Sequence, residues 1–184
     1  MSLEASATSL ARDLLESEDA DLFASAGAIS ASIRIEDDPW RALFPVIVTE
    51  RVLKALCDHP AAAKARGTTT CDMVFTSDAA MAALNHQFRG RNAPTNVLAF
   101  PSGANVPPSA PEPHDLGGIA VGFGVMAREA DERGISREAH ASHLILHGVL
   151  HLLGYDHECD ADRIVMERAE VDILSGLGIA DPYA

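Results

Sequence analysis

Three histidines, His147, His151 and His157, stand in the run HGVLHLLGYDH. The first two are separated by four residues, so on a helix their imidazoles project from one face, one turn apart. That spacing lets two ring nitrogens reach a single ion at about 2.0 to 2.1 Å. Gly154 can adopt the left-handed conformation that ends a helix and turns the chain back, which brings His157 round as a third donor. Three imidazoles without a fourth protein ligand are the pattern of catalytic zinc, since structural zinc is four-coordinate and rich in cysteine. The chemistry expected is hydrolysis, with one zinc ion lowering the pKa of water to about 7. Cys159 is the alternative: a thiolate there would close the shell and make the site structural.

His140 and His143 share the helical stripe of His147 and are candidates for supporting the ligands or touching substrate, against a plain surface role. Asp156 is a candidate for orienting a ligand histidine. His59, His86 and His114 have no partner spacing and read as surface residues. The ligand spacing also fits the peptidase pattern H-E-x-x-H-x-x-G-x-x-H, but Gly148 stands where that pattern needs its general base. A peptidase of that kind should be nearly inactive.

The elements that must position these residues follow from capping and periodicity. Ser136 is a good N-cap for a helix running to about Leu153, with Leu144, Ile145, Val149 and Leu150 buried and Gly154 as its stop. Asp160 should cap a last helix ending near Gly176. Upstream, Ala31 to Ile35, Cys71 to Phe75, Asn96 to Phe100 and Ile119 to Val121 read as strands. Thr49 should cap a helix to Asp58, Ser77 one through Phe88, and Val125 to Arg133 a third that ends at Gly134. Residues 101 to 115 contain five prolines and read as an extended loop. Residues 1 to 27 read as an N-terminal extension, with a weak amphipathic turn at Leu10, Leu14 and Leu15. Residues 28 to 184 then form one α/β (α+β) domain, a small mixed β-sheet packed with helices, the metal-binding helix lying against the sheet.

Composition narrows the class. With 184 residues, 47% of them hydrophobic, the chain can bury one core. It has no run of twenty apolar residues and no basic, apolar leader, so neither a membrane span nor a secretory signal is expected. Three scattered cysteines (Cys57, Cys71, Cys159) read as reduced thiols in a cytoplasm. The formal charge of −13 argues by itself against nucleic acid. It is unevenly spread, however, and Arg89 to Arg91 form a compact basic spot, so a local site can be cationic.

Two segments together resemble the YbeY family of bacterial endoribonucleases, or rRNA maturation factors. One is EAHASHLILHGVLHLLGYDH, Glu138 to His157, which holds the three-histidine signature. The other is RGRNAPTNVLAFP, Arg89 to Pro101, followed by LGGIAVG from Leu116 to Gly122. The likeness spans about Ala28 to Ala184 and includes Asp181-Pro182-Tyr183. It implies a single-strand-specific, zinc-dependent endoribonuclease acting in late ribosome maturation and quality control, including the 3′ end of the small-subunit RNA. The implied partners are single-stranded rRNA and the ribosome or its proteins, with no DNA and no membrane. By the same likeness Arg89 is the functional arginine near the metal. Gly118 departs from the family, which has Asp there, and residues 1 to 27 precede the family's usual start.

The chemistry expected is metal-assisted phosphodiester hydrolysis, with Arg89 offsetting charge on the phosphate by a bidentate contact. Arg91 is a weaker candidate for touching the RNA backbone, and Asn96 either orients its loop or meets substrate. Two other readings stay open: a zinc peptidase or amidohydrolase, and a zinc-stapled ribosome-binding factor that cuts nothing.

Overall fold

The structure, a computed structural model, describes residues 22–65, 67–103 and 113–184. The turn expected at Leu10, Leu14 and Leu15 and most of the proline-rich loop lie outside the described residues.

Two strands, β1 (Leu22–Ala26) and β2 (Ile29–Ile35), form an antiparallel hairpin around Gly27, whose φ of +56° suits a residue without Cβ. β3 (Thr69–Thr76) lies parallel to β2. β4 (Val97–Pro101) forms the far edge, antiparallel to β5 (His114–Gly122), and β5 runs parallel to β3. The sheet order is therefore β1-β2-β3-β5-β4. Among the described residues five α-helices surround it: α1 (Pro45–Cys57), α2 (Asp78–Arg89), α3 (Phe123–Arg133), α4 (Arg137–Leu152) and α5 (Asp160–Gly176).

Strand alternation assigns the two faces. Ile33, Met73, Phe75, Ile119 and Val121 share the main core with residues of α1, α4 and α5, such as Leu53, Ile145, Val149 and Ile173. The opposite face presents Val74, Leu98 and Ala120 to Met81 and Leu84 of α2. The expected α/β domain with a mixed sheet is what forms. Helix α4 packs on β4 and β5 on one side and against α1, α3 and α5 on the others, so the histidine run rides on the most enclosed helix.

Several boundaries differ from expectation. Leu22–Ala26 reads in sequence as part of the extension, yet it is the edge strand of the sheet. Thr49 does not cap α1. The helix starts at Pro45, whose ring pre-sets the helical φ, and Thr49 is buried inside it. β5 begins at His114, because its first residues pair with Thr69 and Thr70 of β3; tertiary pairing overrides the proline-rich context. Cys159, not Asp160, is the N-cap of α5.

Candidate metal centre

The helix that carries the site begins as its sequence requires. Ser136 accepts a hydrogen bond from the Ala139 amide at 3.1 Å, satisfying one of the free first-turn donors. Gly148 explains how closely α4 approaches the sheet. A Cβ there would stand 2.9 Å from two carbons of Ile119 on β5. The position where a peptidase keeps its general base therefore points into the sheet, with no room for a side chain.

At the other end Gly154 takes φ +77°, and the chain turns back so that Tyr155 donates its amide to the Leu150 carbonyl. Asp156 then accepts the His157 amide at 2.7 Å, holding the backbone of the third histidine and not its ring. The turn gathers the rings as expected. His157 lies 5.5 Å from His147 and 4.9 Å from His151, centroid to centroid. One nitrogen from each ring falls within 4.8 Å of the other two. His157 is exposed, so the cluster opens to solvent.

The partners of the outer ring nitrogens indicate which nitrogens face inward. His147 Nδ1 lies 2.8 Å from the Glu170 carboxylate, and His151 Nδ1 lies 3.1 Å from the Tyr155 carbonyl. Both are acceptors only, so in each neutral ring the proton sits on Nδ1 and the lone pair on Nε2. The two Nε2 atoms face each other at 3.1 Å. With neither nitrogen protonated, two opposed lone pairs at that distance repel, and a shared cation would remove the repulsion. Burial, then the neighbouring His147 and His157, push the His151 pKa down to about 4, which keeps the ring neutral at physiological pH. The donor set thus fits one divalent cation. Cys159 stays outside it: its Sγ accepts the Asp162 amide at the start of α5.

Sequence reasoning missed Glu170. It is fully buried on α5 and also accepts from the Tyr183 hydroxyl. Burial alone would raise its pKa, but the neighbouring His143 and hydrogen bonds from His147 and Tyr183 outweigh this and hold it down at about 2. Only a carboxylate several turns further along, facing back toward the histidine helix, hinted at this role. His143 lies 3.8 Å from Glu170 and packs edge-on against Tyr183, beside His147. His140 binds Glu129 at 2.7 Å, and Asn96 donates to the same carboxylate at 3.0 Å. Burial lowers the His140 pKa despite that bond. Asn96 therefore ties β4 to α3.

Two cavities flank the histidine stripe. One of about 520 Å³ is lined by Lys64, Ser102, His114, Asp115, His151 and Tyr155. The other, about 450 Å³, is lined by Asn96, Glu129, His140, His143, His147 and Tyr183. His114 is buried, against the surface role expected, and His59 accepts the Ala61 amide. Arg89 is the exposed last residue of α2, and Arg91 follows the left-handed turn at Gly90. Neither lines either cavity. Gly118 pairs with Asp72 and Phe100 and, by alternation with Ile119, sits on the α2 face of the sheet. A carboxylate there would point away from the histidine helix.

A mixed sheet backing one helix, with three imidazoles gathered at its solvent-open end, defines an α/β protein whose histidine cluster could hold a metal ion. The family model described as Endoribonuclease YbeY matches residues 42–178. An endoribonuclease YbeY of Erythrobacter litoralis is 48% identical over 158 residues, covering 82% of this chain and 96% of the relative. One of Chelativorans sp. is 41% identical over 167 residues, covering 88% and 97%. The solution structure of TM1509 from Thermotoga maritima shares the fold with a TM-score of 0.51 at 24% identity, covering 79% of this chain and 91% of that one. The chain belongs to the YbeY family of endoribonucleases.

Proposed function

We propose that this protein is a zinc-dependent endoribonuclease of the cytoplasm that cuts single-stranded RNA. Its role is the maturation of ribosomal RNA, at the 3′ end of the small-subunit RNA, and late ribosome maturation and quality control in contact with the ribosome. Family membership supports the reaction class. The carrying observation is the pair of facing Nε2 atoms of His147 and His151 with His157 beside them. No helix of the described residues is long and apolar enough to cross a membrane.

His147, His151 and His157 would hold the ion, which when bound supplies Lewis-acid polarisation of a phosphoryl oxygen and water of lowered pKa. The chain's own residues do the rest. Glu170 and the Tyr155 carbonyl keep the donor nitrogens aimed at one point. The exposed guanidinium of Arg89 offsets charge gathering on the phosphate, and Arg91 contacts the RNA backbone. The peptidase alternative loses ground because position 148 cannot carry a base.

The test is cleavage of a labelled single-stranded RNA beside its duplex, with and without chelator, by wild type, His151→Ala and Arg89→Ala. Cleavage of the single strand alone, lost with chelator and in both variants, is expected. Peptide hydrolysis in its place, or RNA binding without cleavage, would overturn the reading.

A further inference from the structure

We infer that the Asp181–Tyr183 segment is a clamp that sets the affinity of the histidine centre for its metal, acting through Glu170. This rests on the metal-centre reading but not on the RNA substrate.

The segment is held in place from two sides. The Pro182 carbonyl accepts from the Arg133 guanidinium at the end of α3. The Asp181 carboxylate accepts the Tyr183 amide at 2.7 Å, fixing the turn between them. That turn sends the Tyr183 ring over the histidine stripe, edge-on to His143 at 5.8 Å, and its hydroxyl donates to Oε2 of Glu170. The other oxygen, Oε1, accepts Nδ1–H of His147. Glu170 is fully buried, so it meets no water and its orientation is decided by these donors. With Tyr183 holding Oε2, the carboxylate plane is fixed and Oε1 faces His147. Without that hold the carboxylate can rotate toward His143, 3.8 Å from Oε1. His147 then loses the acceptor that keeps its lone pair on Nε2. The residues act as positioning residues: their effect reaches the metal through the aim of one imidazole.

The experiment measures zinc dissociation constants by chelator competition, and the visible spectrum of the cobalt-substituted protein, for wild type, Tyr183→Phe and Glu170→Gln. Thermal midpoints of the metal-free proteins are taken alongside. A loss of affinity of about 10- to 100-fold is expected for Glu170→Gln, and of at least about threefold for Tyr183→Phe, with altered cobalt bands. The metal-free midpoint of Tyr183→Phe should stay close to wild type. Should Glu170→Gln fail to fold, Tyr183→Phe, which changes a half-exposed ring by one hydroxyl, decides alone. Wild-type zinc affinity in a folded Tyr183→Phe overturns the inference, and so does an unaltered cobalt spectrum. If wild type itself binds no zinc, the metal-centre reading fails instead.

Discussion

Single residues settle what the centre can hold and when. His151 has its pKa pushed down to about 4 by burial and by His147 and His157. In the unfolded chain it titrates near 6.5. As pH falls through 6.5 toward 4 the unfolded chain takes up a proton that the folded one refuses, so the metal-free fold loses stability across that window. Glu170 behaves differently. Its folded pKa of about 2 lies below the ordinary value of 4.5, so its contribution is full above 4.5 and disappears as pH falls toward 2. Thermal midpoints of the metal-free protein should drop in two stages, and His151→Asn should shrink the first, which His140, its pKa also lowered by burial, shares. A single stage near pH 4 in both proteins would contradict this. The trio and its glycine were readable because their signals are local: a four-residue spacing and a helix stop. Glu170 was not, since its partner is 23 residues away and meets it only through the packing of α5 on α4.

At the scale of elements, α4 is fixed by its cap and by its close approach to β5. Replacing Ser136 with Ala removes the bond to the Ala139 amide and should cost about 1 kcal/mol in chemical denaturation, leaving zinc affinity unchanged. Gly148→Ala tests the contact with Ile119. Helix propensity favours alanine by about 1 kcal/mol, whereas overpacking costs about 1–3 kcal/mol. A Cβ at 2.9 Å from two side-chain carbons of a fully buried isoleucine makes the second effect larger. Net destabilisation is expected; a more stable variant would show that the helix can shift away. Caps at Ser77 and Ser136 were legible because a short polar side chain before an apolar stripe is a local device. The start of α1 and the length of β5 were not. One depends on a left-handed Phe44 preceding Pro45, and the other on pairing with a strand some forty residues upstream.

For the whole molecule, a net charge of −13 has to coexist with an RNA substrate. If contact is confined to the Arg89–Arg91 spot, as proposed, about two phosphates are neutralised. The logarithm of affinity for single-stranded RNA should then fall with the logarithm of salt at a slope of about −1.4. A slope steeper than about −4 would require a basic surface elsewhere. The fold class was legible from strands mixed with helices, and the sheet confirms it. The edge strand Leu22–Ala26 escaped because its signal sits in an Ala- and Ser-rich context and becomes a strand only by pairing with β2.

The convergence of His147, His151 and His157 on one ion is tested most directly by the zinc retained per chain after dialysis. Wild type would be compared with His147→Ala, His151→Ala and His157→Ala, each checked for folding. One zinc per wild-type chain is expected, with loss of most of it in all three variants. Full retention by a folded His157→Ala would contradict the account, because the exposed third ring would then not be a ligand.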